Sequence, residues 1–223
     1  MGETISITSS DGFEFDAYRA LPSGDAKGGI LVIQEIFGVN PHIREVADGY
    51  ASQGYAAIAP AIFDRVEKGV ELAYDDEGMQ RGIEIAFSGL DMSNTLKDLA
   101  ATAAALKPYG KVGAVGYCFG GLLAYLSACQ LDDLACSVGY YGGGITNALD
   151  QEPKIPLMLH FGELDGHIPL SEVEQIKAAK PNVPVHIYEG ADHGFNCSHR
   201  ASYHAAASSL ALERTLTFFA EHL

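Results

Sequence analysis

Short apolar runs alternate with amphipathic stretches along most of this chain. Residues 4–9 and 13–20 alternate apolar and polar positions around Ser10-Asp11-Gly12, an Asp-Gly turn signal, which predicts an opening antiparallel hairpin. Apolar runs of strand length follow at 29–34, 55–59, 111–115, 135–140, 155–161 and 183–188. Helical periodicity fills the intervals at 42–52, 93–106, 121–129 and 170–179, and a long final helix is expected at 203–222. Strands that alternate with helices are joined by parallel crossovers. The pattern therefore predicts an α/β fold, a mostly parallel central sheet entered through an antiparallel hairpin and covered by helices on both faces. No linker composition interrupts residues 1–223, so a single domain is expected. The stretch 71–84, where Asp75, Asp76 and Glu77 cluster, reads as a solvated loop or short helix.

One junction carries chemistry. The strand 111–115 runs into Gly116-Tyr117-Cys118-Phe119-Gly120-Gly121 and then into helical sequence, the pattern of a nucleophile elbow. Such a turn forces its central residue into a strained backbone and needs flanking glycines, because side chains there would strike the neighbouring strand and helix. Cys118 occupies the centre, where its sulfur would meet the partial positive charge of a helix N-terminus. A tight turn around a small buried residue is the bland alternative.

The loop after 155–161 holds Glu163 and Asp165 at the C-terminal end of a strand, where ligand chemistry collects in open α/β sheets. Asp165, which leads through Ile168-Pro169 into the next helix, is the preferred acid to orient an imidazole; Glu163 competes, and a capping role is the alternative. After 183–188, Asp192-His193-Gly194-Phe195 sets a histidine in a glycine-flanked loop before the final helix. His193 is the expected general base. His160 and His186 belong to strands, His167 is a further candidate, and His199 is the serious rival. The chain order nucleophile, acid, histidine is that of α/β-hydrolases. Oxyanion donors are then expected from the N–H groups of Phe119 and Ile36, the latter in Gln34-Glu35-Ile36-Phe37-Gly38. Phe37, Tyr117, Phe119 and Phe195 are expected to line a compact apolar pocket.

Charge narrows the partners. A formal net charge of −15 disfavours nucleic acid and anionic membranes, which need basic patches. No apolar run reaches the roughly 20 residues of a membrane span, and the first residues lack a signal-peptide pattern, so a cytoplasmic location is expected. The four cysteines show neither C-x-x-C pairing nor zinc-type spacing with histidine. No metal and no cofactor are expected.

Four segments together resemble the dienelactone hydrolases (carboxymethylenebutenolidases), the cysteine branch of the α/β-hydrolases: Gln34 to Gly38, Gly116 to Gly121, the Asp165 loop and Asp192 to Phe195. The resemblance covers nearly the whole chain and implies an α/β-hydrolase fold without a large cap domain. It further implies a Cys118, His193, Asp165 triad, with Glu35 holding the resting thiol until substrate displaces it. Members acting on dienelactone resemble one another in using two arginines for the substrate carboxylate. Arg81 can stand for the first; Cys197 occupies the position of the second, and Arg200 is the nearest replacement. A thiol cannot reproduce the bidentate fork of arginine.

These readings lead to a cofactor-free hydrolase of lactones or small esters that works through a thioester, with metal-independent attack on activated phosphotriesters as an extension. Two other classes stay open: a non-catalytic binding protein of the same fold, and a thiol redox protein in which Cys197 resolves Cys118. The sequence leaves the oligomeric state open.

Overall fold

Asp11 reverses the chain: its carboxylate accepts the Phe13 N–H at 3.1 Å, and Gly12 takes a φ of 86°. Glu3–Thr8 (β1) and Glu14–Ala20 (β2) therefore pair antiparallel, with Ile7 opposite Phe15. This computed structural model describes residues 2–223. Six further strands complete the sheet: Gly29–Ile33 (β3), Ala56–Pro60 (β4), Val112–Tyr117 (β5), Cys136–Tyr140 (β6), Leu157–Gly162 (β7) and Val185–Tyr188 (β8). Their order is β1-β2-β4-β3-β5-β6-β7-β8, antiparallel at β1–β2 and β2–β4 and parallel elsewhere. Every residue of β3 through β7 is buried, as continuous apolar runs covered on both faces require.

The helices are Pro41–Ser52 (α1), Asp76–Glu84 (α2), Met92–Leu106 (α3), Phe119–Gln130 (α4), Leu170–Ala179 (α5) and Ala205–His222 (α6). Strand alternation assigns them to layers. A Cβ on Gly29 would meet Leu106 of α3, and one on Gly116 would meet α4, whereas Gly113, of opposite parity to Gly116, faces Phe219 of α6. Tyr50 of α1 packs against Phe219, 5.9 Å between ring centroids. So α3 and α4 cover one face, and α1 and α6 the other. No helix among the described residues is long and apolar enough to cross a membrane.

The acidic stretch resolves into a helix. Asp75 caps α2 by accepting the Gly78 N–H at 2.8 Å, and Asp76 and Glu77 sit favourably in its first turn. Its inner face is glycine: a Cβ on Gly82 would lie 2.1 Å from the Ile36 carbonyl oxygen. A π turn, Ile85–Gly89, follows and buries Ile85 and Ala86 while leaving Phe87 64% exposed. α2 therefore lies against the loop that carries Ile36, a role beyond that of a solvated acidic face.

The closest packing in the sheet is at the end of β5, where a Cβ on Gly116 would stand 1.8 Å from the Gly120 carbonyl oxygen. Gly116→Ala is expected to destabilise the protein by about 1–3 kcal/mol or more, read as a lower urea midpoint, whereas Gly24→Ala, in open space, should leave the midpoint in place.

Candidate functional site

The parallel register aligns the C-terminal ends of the central strands. Ile33 lies opposite Gly116, Tyr117 opposite Tyr140, Tyr140 opposite His160, and Gly162 opposite Tyr188. The loops bearing Glu35, Cys118, Asp165 and His193 thus leave one edge of the sheet together. Cys118 takes φ 55° and ψ −115°, and its N–H donates to the Tyr140 carbonyl at 3.0 Å. Its own carbonyl accepts the Gly121 N–H at 2.8 Å, closing the first turn of α4.

Cys118 Sγ lies 3.2 Å from His193 Nε2, and His193 Nδ1 lies 2.8 Å from Asp165 Oδ2. The other Asp165 oxygen accepts the N–H groups of His167 and Ile168 at 2.8 and 3.0 Å, so the carboxylate is fixed from both sides. Burial alone would push the His193 imidazole down, but the Cys118 sulfur and the Asp165 carboxylate outweigh it and raise its pKa to about 10. His193 therefore holds a proton firmly at neutral pH. The rivals stand elsewhere: Glu163 accepts the Gly190 N–H at 2.8 Å, His199 meets Glu45 at 2.8 Å on the surface, and His160 is buried between Tyr188 and Thr215. His186 stacks on His160, while the His167 ring packs edge-on against His193 at 5.1 Å.

These groups open on a cavity of about 650 Å³ whose wall includes Ile36, Phe37, Cys118, Phe119, His193 and Arg200. The Phe119 N–H is in the first turn of α4, where no intrahelical acceptor exists. Three expected lining residues are absent from this wall, and the pocket is larger than the compact one anticipated. Tyr117 follows Gly116 by one position, so its side chain points to the opposite face, where its hydroxyl meets that of Tyr50 at 3.3 Å. Phe195 is fully buried against Tyr188 and Tyr141 and supports the histidine loop from beneath. Arg81 adjoins inward-facing Gly82, which turns it about 100° away on the helix; it binds Glu67 and Glu84, both at 2.6 Å, on the outside of α2.

Arg200 takes the place at the wall that Arg81 does not. Its guanidinium lies 5.8 Å from the Phe37 ring centroid, 5.5 Å from that of Tyr74, and 3.9 Å from Glu35 Oε1. Glu35 is wholly buried, and its other oxygen accepts the Tyr74 hydroxyl at 2.8 Å. With the sulfur turned to His193, the Glu35–thiol contact implied by the resemblance is not formed in this conformation. Cys197 is buried, and burial followed by the Glu35 charge pushes its thiol up to about 11. All four cysteines are free.

Sequence reasoning missed Tyr74 and Tyr141. Tyr141 follows β6 with φ 37°, its ring centroid 5.1 Å from that of His193 and its hydroxyl buried without a partner. The only trace of it in the sequence is the Tyr-Tyr-Gly-Gly-Gly run at a strand end. Potential metal ligands also converge beside the site: Glu35, His42 and Cys197 offer atoms within 4.8 Å of one another, as do His42, Glu45 and His199. Neither trio includes Cys118, His193 or Asp165. In the first, Tyr74 and Arg200 already face the carboxylate.

The sequence profile of the Dienelactone hydrolase family matches residues 15–223. A carboxymethylenebutenolidase of Pseudomonas putida is 38% identical over 227 residues, covering 98% of this chain and 96% of the relative. The chain belongs to the dienelactone hydrolase family. Another carboxymethylenebutenolidase, from Pseudomonas sp. strain P51, is 34% identical over 96% of this chain and 93% of its own. The crystal structure of a dienelactone hydrolase-like promiscuous phosphotriesterase from metagenomic libraries superposes with a TM-score of 0.78 at 21% identity, covering 99% of this chain and 98% of that one. As a member of the family, the chain is a hydrolase of lactone or ester bonds, and its sheet and helices are those of the α/β-hydrolase fold.

Because His193 keeps its proton up to about pH 10 through Cys118 and Asp165, Asp165→Asn should move its titration midpoint downward. NMR of the imidazole measures this directly; an unchanged midpoint would show that Asp165 does not hold the proton.

Proposed function

We propose that this dienelactone hydrolase family member cleaves lactones and small esters through a covalent thioester on Cys118, without a cofactor. The observation that carries the reading is the continuous relay of 3.2 and 2.8 Å from Sγ through the imidazole to Asp165, at the mouth of a cavity. With His193 already protonated beside it, the sulfur attacks the carbonyl carbon as the thiolate, and the N–H groups of Phe119 and Ile36 take the developing oxyanion. Collapse breaks the C–O bond, and the leaving alkoxide receives the proton from His193. Water then gives a proton to His193 and attacks the thioester, releasing the acid and restoring the thiolate beside protonated His193. Attack by the same sulfur on an activated phosphotriester, the activity named for the metagenomic neighbour, would follow the same proton path.

Glu35 lies 3.9 Å from the Arg200 guanidinium, and Cys197 adds no positive charge where the resemblance expects an arginine. A substrate carboxylate at Arg200 would have to share that cation with Glu35. Neutral esters are therefore expected to react at least as well as carboxylated ones of similar size, and Glu35→Gln should shift the kcat/KM ratio toward the carboxylated member. A wild-type preference for carboxylated substrates that vanishes in Arg200→Ala would contradict this.

Cys118→Ala should lower ester turnover by about 10⁴- to 10⁶-fold, and His193→Ala should cause a loss of several orders of magnitude. His199→Ala, at the surface pair with Glu45, should keep most of the activity. Mass spectrometry of wild type quenched during turnover should find one acyl group on Cys118. Retention of a tenth of the activity in Cys118→Ala would end the nucleophile assignment.

A further inference from the structure

The cavity extends well beyond the reacting atoms. Cys118, Leu122, Leu126 and Gln130 recur at intervals of four residues on one face of α4, and all four line it. At 1.5 Å per residue, this stripe reaches about 18 Å from the sulfur. A compact lactone at Cys118 would fill only the first turn of it.

The walls facing the stripe are apolar. Ile83 and Phe87, from α2 and the π turn, stand 46% and 64% exposed, and Phe87 meets Phe119 edge-on at 5.4 Å. Arg200, at the catalytic end, is the one lining side chain among the described residues that carries a fixed charge. At the far end Gln130 donates to Gln151 Oε1 at 2.8 Å, a bond that leaves the Gln130 oxygen and both Gln151 side-chain N–H groups available. Gln130 is exposed, so the groove opens to water there.

The groove starts at Cys118, so an arm on the carbonyl that the sulfur attacks has a direct path into it. Resting on the thioester reading above, we infer that the chain takes esters and lactones bearing an extended alkyl arm, laid along Leu122 and Leu126, with a neutral polar terminus at Gln130 and Gln151. An anionic terminus would find no cation at that end, whereas a hydroxyl or amide would satisfy both glutamines. Covering Ile83 and Phe87 with the arm removes apolar surface from water, and this gives preference for length over compactness.

The test is kcat/KM for p-nitrophenyl acetate, hexanoate and decanoate. The value should rise about fourfold per methylene that enters the groove. Leu126→Trp should cut the decanoate-to-acetate ratio by about tenfold or more, and Leu122→Trp, one turn nearer the sulfur, should already cut the hexanoate-to-acetate ratio. Ile83→Asp, at an exposed position, should lower the decanoate ratio if tryptophan at buried Leu126 prevents folding. A flat series with acetate turned over through Cys118, or equal cut-offs in the two tryptophan variants, overturns the groove while leaving the thioester reading intact. Failure to turn over any ester would instead remove the thioester reading. Calorimetry of Cys118→Ala with the same intact esters then decides the groove by itself: tighter binding of decanoate than acetate supports it, and equal binding overturns it.

Discussion

The site depends on one strained residue. Cys118, with φ at 55°, occupies a backbone region that costs on the order of 1–3 kcal/mol outside glycine. Its neighbours leave it no relaxed alternative. The Cys118 N–H is tied to the end of β6, its carbonyl to the first turn of α4, and the Gly116 Cα lies against the Gly120 carbonyl with no room for a methyl. The strain aims the sulfur out of the sheet edge and at the same time places the orphan N–H groups of α4 beside it. The Cys118 sulfur and the Phe119 N–H are thus set by a single turn.

The protonation of His193 depends on a second constraint, the coupling of three loops through charge. Desolvation disfavours an imidazolium at His193, and it prevails unless partners occupy both ring nitrogens. Cys118 and Asp165 occupy them, and the Asp165 carboxylate is itself held by two N–H groups from its own loop. That anchoring fixes the imidazole plane, because rotation would break the bond at Nδ1. Tyr141 closes the remaining side with its ring, and it too has a positive φ at a strand end. Two neighbouring parallel strands are therefore each followed by a non-glycine residue of positive φ that presents its side chain to His193.

Strands β3 to β7 were legible because continuous apolar runs bounded by turns have few other outcomes, and the elbow because its glycines leave a local trace. Direction within an element was less legible. Tyr117 sits one residue from Gly116, and in a strand that single step moves the side chain to the other face, toward Tyr50. Arg81 failed for the helical counterpart of this reason, since Gly82, not its neighbour, packs on Ile36. In the acidic stretch, the Asp75 cap with Gly78 three residues on was the available sign of a helix. Tyr74 and Tyr141 depend on contacts distant in sequence, of which one chain read alone carries no sign beyond the Tyr-Tyr-Gly-Gly-Gly run at Tyr141.

Arg200 shows how the loop after His193 redistributes charge. Successive turns run from Gly194 to Cys197 and from Cys197 to Arg200, with N–H to carbonyl bonds of 2.8 and 3.1 Å, and fold the arginine back until its guanidinium covers Gly194. A later position in the chain thereby reaches the cavity wall, to which Cys197 does not contribute. The charge arrives already paired: at 3.9 Å and an effective dielectric near 20, its attraction to Glu35 is on the order of 4 kcal/mol. Glu35 in turn is held by Tyr74 beneath the Ile36 loop. Freeing Arg200 for a substrate anion would leave a buried carboxylate with one partner fewer, a cost that a neutral substrate avoids. The same ion pair that steadies the Ile36 loop thus makes the Cys118 end of the cavity nearly neutral, in keeping with the uncharged groove that continues along α4.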